Sequence, residues 1–570
     1  MINDLVISRL VLPSFSGTAG RLAPQKVERA CQGLLFLAVS LYVILFLSLT
    51  LRLYDRFATN SYDLAIFDQA AWLISRGHSP FVTVRGLPLL ADHFSLILYL
   101  LAPLYWLWPS AKLLLAVQTL ALALGALPLY ALTRQRLGSA PWALLLASAY
   151  LLYPALEWSG TYEFHPETLA TPLLLAAFLF LERRQWRPYF LCLVLALMTK
   201  ETVGLTVLAL GVYALRMDRR IAFGTLAAGA LGMAGALLTI RAFNHGAPSA
   251  FFALYGPDGA GPGSLLGLAF SHPLVFWDRL ATVANGVYLF QLLYPLAFLP
   301  LLAPEVLLLA LPALLLNVLS TRGVMHTVQH QYTAALTPLL LLAGLVGAER
   351  AQRWGNRWTP LLLVGVLGVG IVSAQDQGPM FTWRQWVQTG LSAGVSQETQ
   401  GLLAQIPAQA SVSASAALLP HLSHRRLVYA FPNPFQTVAA GSGARALRQM
   451  EYRDYSPESW AALQSALSAS RVEYVVLAPP TSTFPVPPRQ YPRFLTAMFS
   501  SPSYGIVSLG QKALVLRRGA DHAAGLRLLA ARSEIAIPSR GAGERAALTK
   551  AVQGWLTGTS CGCSLHSPAL

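Results

Sequence analysis

Residues 33 to 51, GLLFLAVSLYVILFLSLTL, run without a charged side chain, and so do residues 358 to 374, WTPLLLVGVLGVGIVSA. Each is long enough to cross a ~30 Å hydrocarbon core as a helix, which takes roughly 17 to 25 residues. Backbone placed in hydrocarbon must satisfy its own hydrogen bonds, so such runs fold as helices packed on helices. Composition extends the point: 55% of the 570 residues are hydrophobic and 12% charged, about half the ~25% charge of an average soluble domain. A soluble globular reading is excluded. The expected fold class is a polytopic α-helical membrane protein with about 11 spans, a juxtamembrane helix and a C-terminal extracytoplasmic α/β domain.

The segments that read as spans are 33–53, 112–133, 140–157, 166–182, 188–200, 202–216, 221–241, 284–303, 304–320, 331–348 and 358–374. The run FSLILYLLAPLYWLW (94 to 108) is shorter, contains Pro103 and carries a Tyr and Trp belt. It reads as a juxtamembrane or re-entrant helix. With the N-terminus inside, four connections land in the cytoplasm: Arg134 and Arg136; Arg183, Arg184 and Arg187; Arg216, Arg219 and Arg220; Arg350, Arg353 and Arg357. All four obey the positive-inside rule, and counting 94 to 108 as a full crossing would invert the later loops. The location implied is a cytoplasmic membrane with the N-terminus inside and the C-terminal part outside. The first apolar run is expected to stay as an uncleaved anchor, since 30 mixed residues precede it and no small-residue cleavage site follows.

The organisation expected is therefore a cytoplasmic segment (1–32), a transmembrane domain (33–374) with a first external loop (54–111), an extracytoplasmic α/β domain (375–518) and a tail of little order (519–570). Strand character appears in SVSASA (411 to 416), RLVYAF (426 to 431), VEYVVLAP (472 to 479) and YGIVSLGQKALVLRR (504 to 518), with helical pattern at 457 to 469. A further helix is an alternative for 542 to 556. The formal charge of +16 divides evenly: residues 375–570 hold 17 basic and 9 acidic side chains, and residues 1–374 hold 24 and 16. With no long basic run, the charge is a topogenic signal plus a basic outer domain, and nucleic acid is excluded as a partner. Cys31, Cys192, Cys561 and Cys563 make no disulfide framework, and Cys561-Gly-Cys563 alone is too few ligands for a metal site.

Acids and histidines of the membrane part fall on the outer side, where ionisable groups at membrane depth tend to mark function. In NSYDLAIFDQAAWLISRGHSP (60 to 80), Leu64, Phe67, Ala71 and Ile74 share a helical face. This predicts an amphipathic helix over 64 to 76 lying on the membrane. Asp63 at its start is either an N-cap or a catalytic carboxylate. Asp68, about 140° round the helix, is either a solvated-face residue or the catalytic carboxylate. His93 in ADHFS (91 to 95) is an interfacial or capping group, or a ligand. In GTYEFHPETL (160 to 169), Pro166 and Glu167 suit a helix start. Glu163 and His165 lack such an explanation and could share a proton or a divalent cation. In MTKETVG (198 to 204), Lys200 either snorkels or holds a phosphate as a point charge, as could Arg241 or Arg322, and Glu201 beside it joins the candidate metal or supporting set. STRGVMHTVQHQYTAALTP (320 to 338) carries Arg322, His326, His330 and Tyr332 at an external turn that rims a pocket.

These stations together resemble a bacterial family of predicted membrane proteins catalogued as a domain of unknown function (DUF2079-type). The resemblance rests on YDLAIFDQAAW (62 to 72), HF with LAPLYWLWP (93 to 109), YEFHPE (162 to 167), TKE (199 to 201), HQYTAALTP (330 to 338), ALLPHLSHRRLVYAFP (417 to 432) and VEYVVL (472 to 477). It covers about residues 30 to 480, with Ala65 where the family usually has Gly. That family in turn is similar to the C superfamily of glycosyltransferases, which includes protein mannosyltransferases and the aminoarabinose transferase of lipid A. The distant resemblance implies a polyprenyl-phosphate sugar donor, an external active site and a catalytic carboxylate in the first external loop, by position Asp63 or Asp68. The paired acidic motif common in that superfamily is absent.

The function expected is sugar transfer from a polyprenyl-phosphate carrier to a glycan, lipid or protein acceptor on the extracytoplasmic face. Asp63 or Asp68 would accept the hydroxyl proton, His93, Glu163, His165 and Glu201 would support it or hold a cation, and Lys200, Arg241 or Arg322 would neutralise the leaving phosphate. The alternatives are a transporter or lipid flippase, which would place charges at mid-membrane in repeated halves, and a non-catalytic envelope assembly protein.

Overall fold

A computed structural model describes residues 22–59, 62–255, 262–353, 359–382, 385, 388–435, 460–479 and 491–533. The first 21 residues, the proposed helix at 542 to 556 and the Cys561/Cys563 pair lie outside them. The chain is mostly helical up to residue 404. Helices of eight residues or more are α1 (Leu22–Asp55), α2 (Tyr62–Ser75), α3 (Lys112–Leu124), α4 (Ala126–Leu137), α5 (Ala140–Leu151), α6 (Pro154–Thr161) and α7 (Ala170–Glu182). They continue as α8 (Trp186–Leu197), α9 (Val203–Ala214), α10 (Arg219–Phe243), α11 (Pro262–Ser271), α12 (Pro273–Leu280), α13 (Val283–Leu293), α14 (Leu311–Val318), α15 (Thr337–Gln352), α16 (Thr359–Gln377) and α17 (Ala393–Ala404). The segments expected to span contain helix, but 284–303 and 304–320 are broken into short α and 3-10 pieces, with Ala297 and Phe298 in the left-handed region between them. Among the described residues three helices are long and apolar enough to cross a membrane, Gln25–Asp55, Lys112–Leu137 and Arg219–Phe243.

Local chemistry accounts for the breaks. Between α3 and α4, Gly125 leaves room for the ring of Tyr150, whose hydroxyl donates to the Leu122 carbonyl at 2.6 Å. A Cβ there would strike that hydroxyl. Gly138 ends α4 at φ 64°, a left-handed cap that glycine adopts without strain, and Ser139 opens α5 by accepting from Trp142 N–H. Asp218 caps α10 through the amides of Arg220 and Ile221, at 2.8 and 3.1 Å. The short helix Ile97–Leu101 continues as a 3-10 turn, Ala102–Trp106, with Trp106 and Leu107 at 68% and 85% exposed. That exposure suits an element at a lipid interface.

After a two-residue hairpin in the first loop, β1 (Phe81–Val82) and β2 (Leu87–Pro88), the remaining strands are β3 (Val412–Ala414), β4 (Val428–Ala430), β5 (Tyr474–Leu477), β6 (Tyr504–Leu509) and β7 (Leu514–Arg518). They form a mixed sheet in the order β4-β3-β5-β7-β6, parallel across β4, β3 and β5 and antiparallel where β7 joins β5 and β6. Each strand of this sheet lies in a segment with expected strand character, whereas β1 and β2 were not expected. Helices α18 (Trp460–Ala469), α19 (Tyr491–Phe499) and α20 (His522–Ser533) share one core with the sheet, in which Phe494, Leu495, Met498 and Leu529 are buried. The segment after 518, expected to have little order, thus begins with a folded helix: Leu529 is sealed in that core and Gly525 lies against the backbone of Ile506.

A second core crosses from this region to the first loop. Leu64, Phe67, Ala70 and Ala71 of α2 pack in one cluster with Val412, Leu418, Leu419, Val428 and Val476. The expectation of an amphipathic helix lying on the membrane is therefore corrected. From Leu64 to Ala71 every residue of α2 is buried, because the sheet-bearing region covers the side that faces away from the membrane helices.

Candidate functional site

The start of α2 is built by a residue about a hundred positions away. Glu163, in the loop after α6, accepts the Leu64 N–H at 3.0 Å and also the Asp63 N–H. These are the orphan donors of the first turn. The N-cap role considered for Asp63 thus belongs to Glu163, and the Asp63 carboxylate is left to meet His165 Nε2 at 3.2 Å. Gln118 of α3 fixes that loop: its amide nitrogen donates to the carbonyls of Ser159 and Glu163, at 3.0 and 2.8 Å. Its oxygen accepts His165 N–H and the Thr168 hydroxyl, at 3.0 and 2.9 Å.

Around Asp63 lies a cavity of about 160 Å³, room for several waters at about 30 Å³ each. Four acid–base pairs line it. Asp63 meets His165, and Arg85 grips Asp92 through two parallel bonds of 3.0 and 2.9 Å. Lys200 Nζ donates to Glu167 at 2.5 Å and lies 5.8 Å over the Tyr332 ring. His93 Nδ1 lies 2.9 Å from Glu201, whose other oxygen accepts the Phe94 N–H at 3.2 Å. Arg322 completes the charged lining, and Tyr62, Phe251, Tyr255 and Tyr332 supply aromatic walls.

The electrostatics separate two neighbouring carboxylates. Burial alone would raise Asp63, but the His165 bond, Arg322 and Arg85 outweigh it and hold the carboxyl below the ordinary range. Glu163 is pushed well above its ordinary value, first by burial and then by the charge of Asp63. Divergent values on adjacent acids are the pattern by which sites assign proton-accepting and proton-holding roles. Burial also works against Glu201, yet His93 and Lys200 bring it down to about 2.

Of the residues singled out in the sequence, Asp63, His93, His165, Lys200, Glu201 and Arg322 line this cavity, and Glu163 supports it from behind. Lys200 does not snorkel; Glu167 holds it in the wall. Arg241 is not brought there: it is exposed, and its Nε donates to the Gly246 carbonyl at the end of α10. Asp68 is not brought there either, nor is it solvated. It is 0% exposed, accepting the hydroxyls of Tyr105, at 2.7 Å, and of Ser423, while His424 Nε2 lies 3.1 Å away. It anchors the C-terminal region to α2. The candidate cation ligands divide in the same way, Glu163 to the helix end, His165 to Asp63 and His93 to Glu201. Among the described residues no three His, Cys, Asp or Glu side chains gather as a metal group.

Sequence reasoning missed Arg85, Asp92 and Glu167. Arg85 had a readable signal, since a basic side chain in a loop placed outside runs against the positive-inside pattern. Glu167 was hidden by a sound structural explanation: it does follow Pro166 into the 3-10 turn Pro166–Leu169.

A family model described as "Predicted membrane protein (DUF2079)" matches residues 53–465. No curated protein matches the chain. Among solved structures, ArnT from Cupriavidus metallidurans bound to undecaprenyl phosphate is similar, with TM-score 0.50 and 14% identity over 86% of this chain and 99% of that one. The likeness is one of fold. The family match spans most of the chain, from the end of α1 through every charged cavity residue to α18, and the protein belongs to the DUF2079 family of predicted membrane proteins.

Proposed function

We propose that the protein transfers a sugar from a polyprenyl-phosphate carrier to an acceptor hydroxyl on the extracytoplasmic face. The observation that carries this reading is the cavity in which the Asp63–His165 pair meets Lys200 and Arg322. Asp63 accepts the proton of the acceptor hydroxyl while the hydroxyl oxygen bonds to the anomeric carbon. The anomeric carbon–phosphate oxygen bond breaks, and the phosphate leaves on its prenyl chain with inversion at the sugar. Lys200 and Arg322 offset the charge that gathers on the leaving phosphate. The fold likeness to a protein solved with undecaprenyl phosphate supports a carrier of that class. Leu254, Ala313, Leu316 and Leu336 offer apolar wall beside the charged groups.

The two first-loop carboxylates provide the test. General-base catalysis contributes about 10²- to 10⁴-fold, so Asp63→Asn is expected to lose at least about a hundredfold in transfer from a lipid-linked sugar. Asp68→Asn is expected to retain transfer per folded molecule. Full activity in Asp63→Asn removes the mechanism.

A further inference from the structure

The cavity contains two neutral amides that the charge pairs do not engage. Asn317, on α14, is 4% exposed. Its amide nitrogen donates to the Tyr288 hydroxyl at 2.8 Å and to the Tyr332 carbonyl at 3.1 Å. Both hydrogens are then committed, which fixes the orientation of the amide and leaves its oxygen as an acceptor. Gln331, the residue before Tyr332, opens the 3-10 turn Gln331–Thr333 and is 6% exposed. Its Oε1 is shut away from solvent and has no hydrogen-bond partner among the described residues. Both residues line the cavity, as do Tyr255, Leu316 and Tyr332.

An unmet buried acceptor is costly, and a side chain present only to fill space would be better replaced by an apolar one of like size. The cost is relieved if a ligand supplies the donor. The terminal torsion of a glutamine is soft, so Gln331 can turn either end of its amide to the cavity. The charged groups already serve proton transfer and phosphate; the unmet chemistry is that of a neutral hydroxyl, which both gives and takes a hydrogen bond. We propose that Gln331 and Asn317 form the subsite that reads the hydroxyls of the transferred sugar, with Gln331 as the specificity-determining residue. This rests on the sugar-transfer reading.

The test measures binding to the full-length protein in nanodiscs of polyprenyl phosphate alone and of polyprenyl-phosphate glucose, galactose and mannose. The native protein is expected to prefer at least one sugar-bearing lipid over the bare one. Gln331→Met should cut that preference about three- to tenfold, the worth of one neutral hydrogen bond. It should leave affinity for the bare lipid unchanged and should not lower the thermal midpoint. An undiminished preference in Gln331→Met, or no preference in the native protein, overturns the subsite alone. A lowered midpoint with weaker bare-lipid binding overturns it too, since Gln331 would then be structural. If the native protein binds none of these lipids, the sugar-transfer reading falls and takes the subsite with it.

Discussion

The Asp63 carboxylate is held charged by its neighbours and not by water. Burial opposes the charge, and His165, Arg322 and Arg85 overcome it, so the folded carboxyl titrates below the ordinary aspartate value of 3.8. A base of this kind loses activity only when protonated, so the acid limb of kcat/KM belonging to Asp63 is expected below that value in the native protein. His165→Gln removes the bonded partner that contributes most against burial, and the limb should move to higher pH. A limb that stays put in a pH–rate comparison of the two proteins would separate His165 from the base. Charged residues such as these were legible in the sequence because ionisable groups are rare at membrane depth. Gln118 and Gln331 were not, since neutral amides carry neither charge nor periodicity and take their meaning only from what surrounds them.

At the next level up, α2 could be read as a helix from its apolar spacing, but not as a buried one. The side chains that cover it, among them Leu418, Leu419, Ser423 and His424, come some 350 residues later. The same clamp sets a pH dependence. Burial lowers the His424 ring, while the Asp68 charge and hydrogen bond raise it more, against small opposing effects of Arg76 and Arg425. Its folded value therefore lies above 6.5, and a raised histidine adds stability that is fully present below the unfolded value and is lost as pH rises through the folded one. The thermal-midpoint difference between the native protein and His424→Gln should be largest below pH 6.5 and shrink as pH rises beyond it. A difference that grows with pH would show that the ring is held neutral. Because Asp63 sits a turn away from the clamp on α2, loosening the clamp should lower the folded fraction and total transfer with it, while transfer per folded molecule is kept.

For the molecule as a whole, hydropathy and β patterning made the helical part and the small sheet legible, because both rest on local periodicity. The joint between them was not legible, because it rests on contacts between the first loop and residues 412 to 430. Orientation is carried by a different signal, the four arginine clusters, and it decides whether the cavity meets carriers on the outer face. The expected odd number of crossings between Gln185 and Thr389, both exposed, predicts that they lie on opposite sides of the membrane. In a background with Cys31, Cys192, Cys561 and Cys563 replaced by serine, Thr389→Cys should react with a membrane-impermeant maleimide in intact cells. Gln185→Cys, beside Arg183, Arg184 and Arg187, should react only after permeabilisation. The reverse pattern would place the arginines outside, against the positive-inside rule, and would turn the Asp63 cavity toward the cytoplasm, where an extracytoplasmic acceptor could not reach it. Labelling of both positions in intact cells would mean an even number of crossings between them, and the run at 94 to 108, which lies before both, could not account for that. The revision would then fall on residues 283 to 318, where the helices are broken into short pieces such as Pro304–Leu307 and Leu308–Ala310.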